Sequence, residues 1–254
     1  MVLTALRGAL GFLTRLPVGG DERAWEAFRR TPVSIVLAGY VVGTLAALPL
    51  LLPIPVPSAA ALYLVTLVLL TGVTHADGLA DLGDAAAVHG GVDVARRREV
   101  LKDAATGVGG ALAVSLAFVT LGLGALGLAG TRPRVAFALA LTVEVGAKAG
   151  VATLVCLGEA AHEGLGSALT EAATPTALLP VTVAVFPLFA LASLTTVGAP
   201  AIAAAVLAPV AVAWLVGRWA AGALGGISGD VLGAANELGR VAGIHAGVIV
   251  WTLS

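Results

Sequence analysis

Charge is what this chain has least of. Only 11% of its 254 residues are Asp, Glu, Lys or Arg, where a soluble domain carries about 25%, and the mean hydropathy is +1.02. A chain this apolar must bury most of its surface in lipid or in itself. The net charge of −1 offers nothing to a polyanion, so no nucleic-acid partner is expected. The single cysteine, Cys156, excludes a disulfide within the chain and a cysteine-based zinc site. There is no P-loop, dinucleotide fingerprint, Ser-His-Asp order or HExxH. A secretory leader is not evident either. Leu3, Leu6, Leu10 and Leu13 recur at helical spacing with Arg7 and Arg15 among them. That is an amphipathic helix, placed either at the membrane interface or against the rest of the protein.

What is abundant is apolar sequence in long runs. A span needs about 20 such residues. Candidates are 33–53, 58–75, 110–130, 134–157, 176–197 and 200–217, with a shorter run at 241–253. The expected fold is all-α: one membrane-embedded catalytic domain over 1–254, a polytopic bundle of six or seven transmembrane helices with the amphipathic helix in front. Ala, Gly, Leu and Val dominate these runs, which suits close packing through small residues. The connections 1–32, 76–109 and 218–240 hold Arg7, Arg15, Arg23, Arg29, Arg30, Arg96, Arg97, Arg98, Lys102, Arg218 and Arg240. Alternating spans put these eleven on one side. Only Arg132 and Arg134 fall opposite. By the positive-inside rule the basic side is cytoplasmic, in the cell membrane. The triple arginine reads as a topology signal and a lipid-headgroup contact.

The scarce acids cluster. Asp77, Asp81 and Asp84 are spaced i, i+4, i+7 in Asp77-Gly-Leu-Ala-Asp-Leu-Gly-Asp84, which puts them on one helical face. Three adjacent carboxylates repel one another, and a hard divalent cation such as Mg²⁺ relieves this. Gly78 and Gly83 leave the backbone open to a bulky ligand on this reading. His75 is either a general base or a mark of the membrane boundary. Lys102 and Asp103 precede Gly107, Gly109 and Gly110, whose N–H groups at a helix start suit an anion. Glu144 and Lys148, at i, i+4 inside a span, are either a self-neutralising pair or a lysine reaching for a diphosphate. His162-Glu-Gly-Leu-Gly166 is a turn or a flap over substrate. In Gly225-Gly-Ile-Ser-Gly-Asp230, Asp230 is a fourth acid for the site or the cap of the following helix.

These pieces resemble the cobalamin synthase family, the adenosylcobinamide-GDP ribazoletransferases. The resemblance rests on Phe12-Leu-Thr-Arg-Leu-Pro17, His75-Ala-Asp-Gly-Leu-Ala-Asp-Leu-Gly-Asp84, Lys102-Asp103 with Gly107, Gly164-Leu-Gly166 and Gly225-Gly-Ile-Ser-Gly-Asp-Val-Leu-Gly-Ala234, in that order. It implies a Mg²⁺-dependent integral membrane transferase. Such an enzyme joins adenosylcobinamide-GDP to α-ribazole or its 5′-phosphate, releases GMP and forms adenosylcobalamin or its phosphate. The metal ligands would be Asp77, Asp81 and Asp84. Asp84, His75, Lys102 and Asp103 would be catalytic, and Arg15, Gly107, Lys148, Gly164, Gly166, Gly229 and Asp230 would bind substrate. The chain departs from the family pattern at Ala104-Ala-Thr106, where a serine and a basic residue are usual, at Lys148 for arginine, and at Ser228 for threonine. A CDP-alcohol phosphatidyltransferase shares the Asp-Gly opening but not the later spacing. A transporter would need polar groups near the bilayer midplane, where only Glu144 and Lys148 stand.

Overall fold

The computed structural model describes residues 2–88, 94–101, 103 and 105–254. These residues form helices and no strand. The order is α1 (Val2–Leu13), α2 (Glu22–Arg29), α3 (Val33–Ala47), α4 (Val56–Thr71), α5 (Thr74–Ala87), α6 (Val94–Leu101), α7 (Val108–Ala129), α8 (Pro133–Leu157), α9 (Leu165–Thr170), α10 (Leu178–Val185), α11 (Ala190–Thr195), α12 (Ala199–Ala223) and α13 (Gly229–Leu253).

Five segments are long and apolar enough to cross a bilayer: Val33–Leu51, Val108–Ala129, Pro133–Leu157, Pro175–Thr195 and Ala199–Ala223. A sixth arises if α4 and α5, bent by 91° at their break, are one span. The break is chemical. Gly72 takes φ 69°, a conformation side chains resist, and three aspartates follow it. The apolar run therefore ends with α4, and α5 carries the acids away from it. The run at 241–253 is not a separate short span. It is the second half of α13, which begins at Gly229 and has 25 residues.

Lipid exposure is legible on α7. Leu112, Leu116, Val119 and Leu123 form an outward stripe at helical spacing, with Leu116 64% exposed. By contrast α8 is the hub, buried along nearly its whole length between α3, α12 and α13. Its packing on α12 and α13 is close because glycines face Ala205 and Pro209 of α12, and Pro209 has no N–H to offer the Ala205 carbonyl. Gly146 of α8 and Gly243 of α13 both approach the Ala205 carbonyl, where a Cβ would stand 2.8 and 3.1 Å away. The helix α1 settles against α2 and α3 through Ala5, Gly8, Ala9, Leu10 and Leu13, and Phe12, Trp25 and Phe28 form an aromatic cluster. The packing of α1 on the rest of the protein is thus observed, and its other side stays exposed, as at Leu3.

Glu144 and Lys148 stand in the middle of α8, both buried. Arg240 of α13 donates to both Glu144 oxygens, at 2.7 and 2.9 Å, and to Glu237 one turn earlier. Lys148 Nζ lies 3.2 Å from Glu144. Two acids and two bases thus cancel inside the bundle, and no buried side-chain N or O among the described residues lacks a partner. Arg240, counted above with the cytoplasmic arginines, belongs to this buried cluster instead. Removing one partner strands a charge, at a cost of about 3–5 kcal/mol. Glu144→Leu should therefore lower the thermal midpoint of the purified protein sharply, as followed by circular dichroism in detergent. An unchanged midpoint would show that the cluster does not support the bundle.

Candidate active site

Helix α5 is clamped on two sides through its glycines. A Cβ on Gly78 would stand 2.8 Å from Asp230 Cα, so α5 crosses α13 almost backbone to backbone. On Gly83 it would meet Ala113 Cβ at 2.6 Å and the Gly109 carbonyl at 2.8 Å, on α7. This corrects the expectation that these glycines leave room for a ligand: protein fills that room. The function of Gly78 is to bring Asp230 up to Asp77 and Asp81.

The acids then divide. Asp84 Oδ2 accepts from Gly107 N at 2.7 Å and Oδ1 from Gly110 N at 2.8 Å. The helix start expected to hold a ligand anion holds this carboxylate of the chain itself, and Gly107 has its N–H engaged there. Asp77 is exposed, and Asp81 is half-buried at the centre of the cluster. Burial first, and then the charges of Asp230, Asp77 and Asp84, push the Asp81 carboxyl up to about 6. Asp230 is also raised, by burial, although the Ser228 hydroxyl donates to it at 3.2 Å and opposes the shift. Asp230 is not the cap of α13. Ser228 is, its Oγ accepting from Val231 N at 3.3 Å.

The loops bearing the other motifs meet at the same end of the bundle. Ala160 pairs with Ile227 in an isolated parallel bridge. Gly166 packs so tightly on Ile227 and Ser228 that a Cβ would stand 2.6 Å from the Ile227 carbonyl. Gly229 faces Leu165, and Gly164 opens α9 with its N–H donated to Ser167 Oγ at 3.0 Å. His162 sits close enough to bias Asp230 electrostatically. Arg15 lies against Gly72 at the joint before α5, with its backbone N–H donated to Leu70 O at 2.7 Å. Asp103 is exposed and accepts from Ala105 N at 3.0 Å. Lys102 lies outside the described residues.

Two expected residues face elsewhere. The Lys148 ammonium donates to Asn236 Oδ1 at 2.6 Å and pairs with Glu144, deep in the bundle, so it does not reach toward the acids. His75 is on the side of α5 opposite Asp77. Its Nδ1 lies 3.4 Å from Asn236 Nδ2 and 3.7 Å from Glu237 Oε1, which joins it to the buried ion cluster rather than to the carboxylates. The triple arginine also has a use inside the protein. Arg97 donates to Ala85 O at 2.9 Å, and Arg98 donates to Leu224 O and Ala161 O at 2.8 and 2.7 Å, tying α6 across this end. Asn236, Glu237 and Arg240 lie in the 218–240 segment, expected from the sequence to be a connection, yet they belong to α13 and are buried. The i, i+3 spacing of Glu237 and Arg240, beside the i, i+4 spacing of Glu144 and Lys148 in a chain so poor in charge, is the signal for buried pairing.

Among the described residues, no three acid, histidine or cysteine side chains already enclose a site for an ion. The donor chemistry nevertheless suits Mg²⁺. Asp77, Asp81 and Asp230 have no ion-pair partner among the described residues, they repel one another, and Mg²⁺ is commonly held by one or two carboxylates shared with substrate phosphates and water. Burial of Asp81, and then the repulsion, give its proton affinity a measurable sign. An unfolded aspartate loses its proton near 3.9, whereas folded Asp81 keeps its own to about 6. The folded state therefore binds the proton more tightly, and Asp81 makes stability fall as pH rises through this window. In chelator, wild type should lose thermal midpoint relative to Asp81→Asn between about pH 4 and 6, with the gap levelling off above. A pH-independent difference would contradict the clustered charge.

The family described as cobalamin-5-phosphate synthase matches residues 5–248. A Haloquadratum walsbyi protein named adenosylcobinamide-GDP ribazoletransferase is 55% identical over 256 residues, covering 100% of each chain. Halorubrum lacusprofundi has one of the same name at 52% identity, with 99% of each covered. A third of that name, from Methanocella arvoryzae, is 32% identical over 98% of this chain and 97% of its own. No solved structure matches the chain at a significant level. With a match that runs from the first helix into the last, the chain belongs to the cobalamin-5-phosphate synthase family.

Proposed function

We propose that this protein joins adenosylcobinamide-GDP to α-ribazole or its 5′-phosphate, releases GMP and forms adenosylcobalamin or its 5′-phosphate. The observation that carries this reading is the convergence of Asp77, Asp81 and Asp230 at one end of an apolar bundle, in a chain of this family. Carboxylates without cationic partners among the described residues suit a reaction whose substrate arrives as a diphosphate with a metal ion. A position at the end of the spans suits an amphipathic corrin that approaches along the membrane surface.

Asp77 and Asp81 would hold Mg²⁺, with Asp84 fixing the start of α7 beside them. The ion supplies charge neutralisation of the diphosphate. The ribazole hydroxyl oxygen bonds to the phosphorus attached to cobinamide, and the bond from that phosphorus to the GMP oxygen breaks. The hydroxyl proton passes to a carboxylate oxygen of Asp230, whose raised affinity for a proton suits a base. Arg15 and Lys102 would meet the anionic groups of the substrates. Gly164 and Gly166 hold the turn that covers the Ser228–Asp230 segment. His75 and Lys148 act from behind, through the ion cluster that backs α5.

The basic residues support a cytoplasmic site in the cell membrane. Setting Arg240 aside from the eleven leaves ten on the side of the acids, against Arg132 and Arg134.

The test is product analysis with purified protein in lipid nanodiscs. With adenosylcobinamide-GDP, α-ribazole and Mg²⁺, adenosylcobalamin and GMP should appear in equal amounts, and chelator should stop both. Asp77→Asn should reduce turnover about 100-fold or more. Asp230→Asn should reduce it by about 10²–10⁴ while Mg²⁺ still raises the thermal midpoint. Full activity in Asp77→Asn would refute the metal assignment, and GMP release without the corrinoid product would refute the transfer.

A further inference from the structure

On the side of α5 away from the acids, a cleft of about 550 Å³ opens between α5, α7, α12 and α13. That volume is within the roughly 300–1,000 Å³ of small-molecule sites. Its walls are apolar almost throughout, with Leu79 and Leu82 from α5, Ala117 from α7, Val216 and Trp219 from α12, and Val241 from α13. The lips are Leu116 and Leu215, 64% and 57% exposed on helices apolar and long enough to span, so the cleft opens toward lipid rather than water. One end is different. There the Arg97 guanidinium of α6 stands 6.0 Å from the Trp219 ring and donates to Ala85 O, one residue from Ala86 in the wall. An apolar slot in the bilayer with a cation at the end facing the polar loops is complementary to one kind of molecule: a single chain joined to an anionic head.

We propose that this cleft binds one chain of an anionic phospholipid, with the phosphate group at Arg97. The residues that edge the opening already face lipid, which favours this occupant over a second protein helix, and the cation favours it over a neutral lipid. The bound chain lies against Leu79 and Leu82, which leaves α5 supported on the face opposite Asp77 and Asp81. The cleft thus couples membrane composition to the rigidity of the acid-bearing helix. Lipid binding in this cleft, and its effect on stability, are independent of the transfer reaction.

The probes are phosphatidylglycerol and phosphatidylcholine of the same acyl composition, added to delipidated protein in detergent. Native mass spectrometry should show one phosphatidylglycerol retained per chain under activation that strips phosphatidylcholine. The retained fraction should fall at least fivefold in Ala86→Phe, which fills the cleft, and in Arg97→Gln, which removes the cation. Phosphatidylglycerol should also raise the thermal midpoint of wild type, because a ligand of the folded state stabilises it, and should do so less in either variant. Ala86→Phe leaves the Arg97 contacts in place, so a loss of lipid there with the lipid-free midpoint preserved separates binding from damage to the fold. Equal retention of the two lipids, or retention unchanged in Ala86→Phe, overturns the proposal.

Discussion

Ionised groups in a low-dielectric interior are tolerated only as a neutral, hydrogen-bonded set, and this bundle is organised around one such set. Glu144 and Lys148 on α8 are matched by Glu237 and Arg240 on α13, with Arg240 donating to both acids. An apolar chain gives its helices little reason to choose one rotation about their axes over another, because every face is acceptable to lipid. The ion cluster supplies that choice. It requires one rotation of α13 relative to α8, and that rotation determines which side of α13 meets α5.

The site follows from this registration. With α13 oriented by Arg240 and Glu237, Asn236 reaches His75 and the backbone at Asp230 comes under Gly78. The acids of α5 and the acid at the start of α13 are then neighbours, although 146 residues separate Asp84 from Asp230 in the sequence numbering. The glycines act by absence: what they omit is the side chain that would hold the helices apart. Asp84 serves the same assembly, holding the first turn of α7 against α5 by two N–H bonds. Among the described residues Asp77, Asp81 and Asp230 have no ion-pair partner, and burial together with the neighbouring acids raises the proton affinity of Asp81.

Much of this was legible beforehand. The all-helical membrane class, most of the spans and the family came from run lengths and from ordered short motifs. The gathering of Asp77, Asp81, the Gly164–Gly166 turn and the Gly225–Asp230 segment at one end was also expected. The roles of individual residues were harder to read. His75 stands two positions from Asp77 and was grouped with it, yet a helix turns it to the opposite side. Gly107 looked like a phosphate site because an N-terminal helix turn attracts any anion, and the anion it meets is internal. Arg97 and Arg98 carried a topology signal, and they also tie α6 to backbone carbonyls of three other segments.

Taken alone, the sequence determined what the chain must do with its surface. So few charges and such long apolar runs leave a helical membrane protein as the solution, because backbone polar groups in lipid must be satisfied within each helix. Its scarce acids also pointed to a candidate site and to the segments that meet at that end of the bundle. Only the tertiary structure decided which carboxylates bond to the chain's own N–H groups, which lack an ionic partner among the described residues, and which charges neutralise one another in the core. Those outcomes depend on partners distant in sequence, on α7, α8 and α13, and no local spacing specifies how one helix is rotated against another.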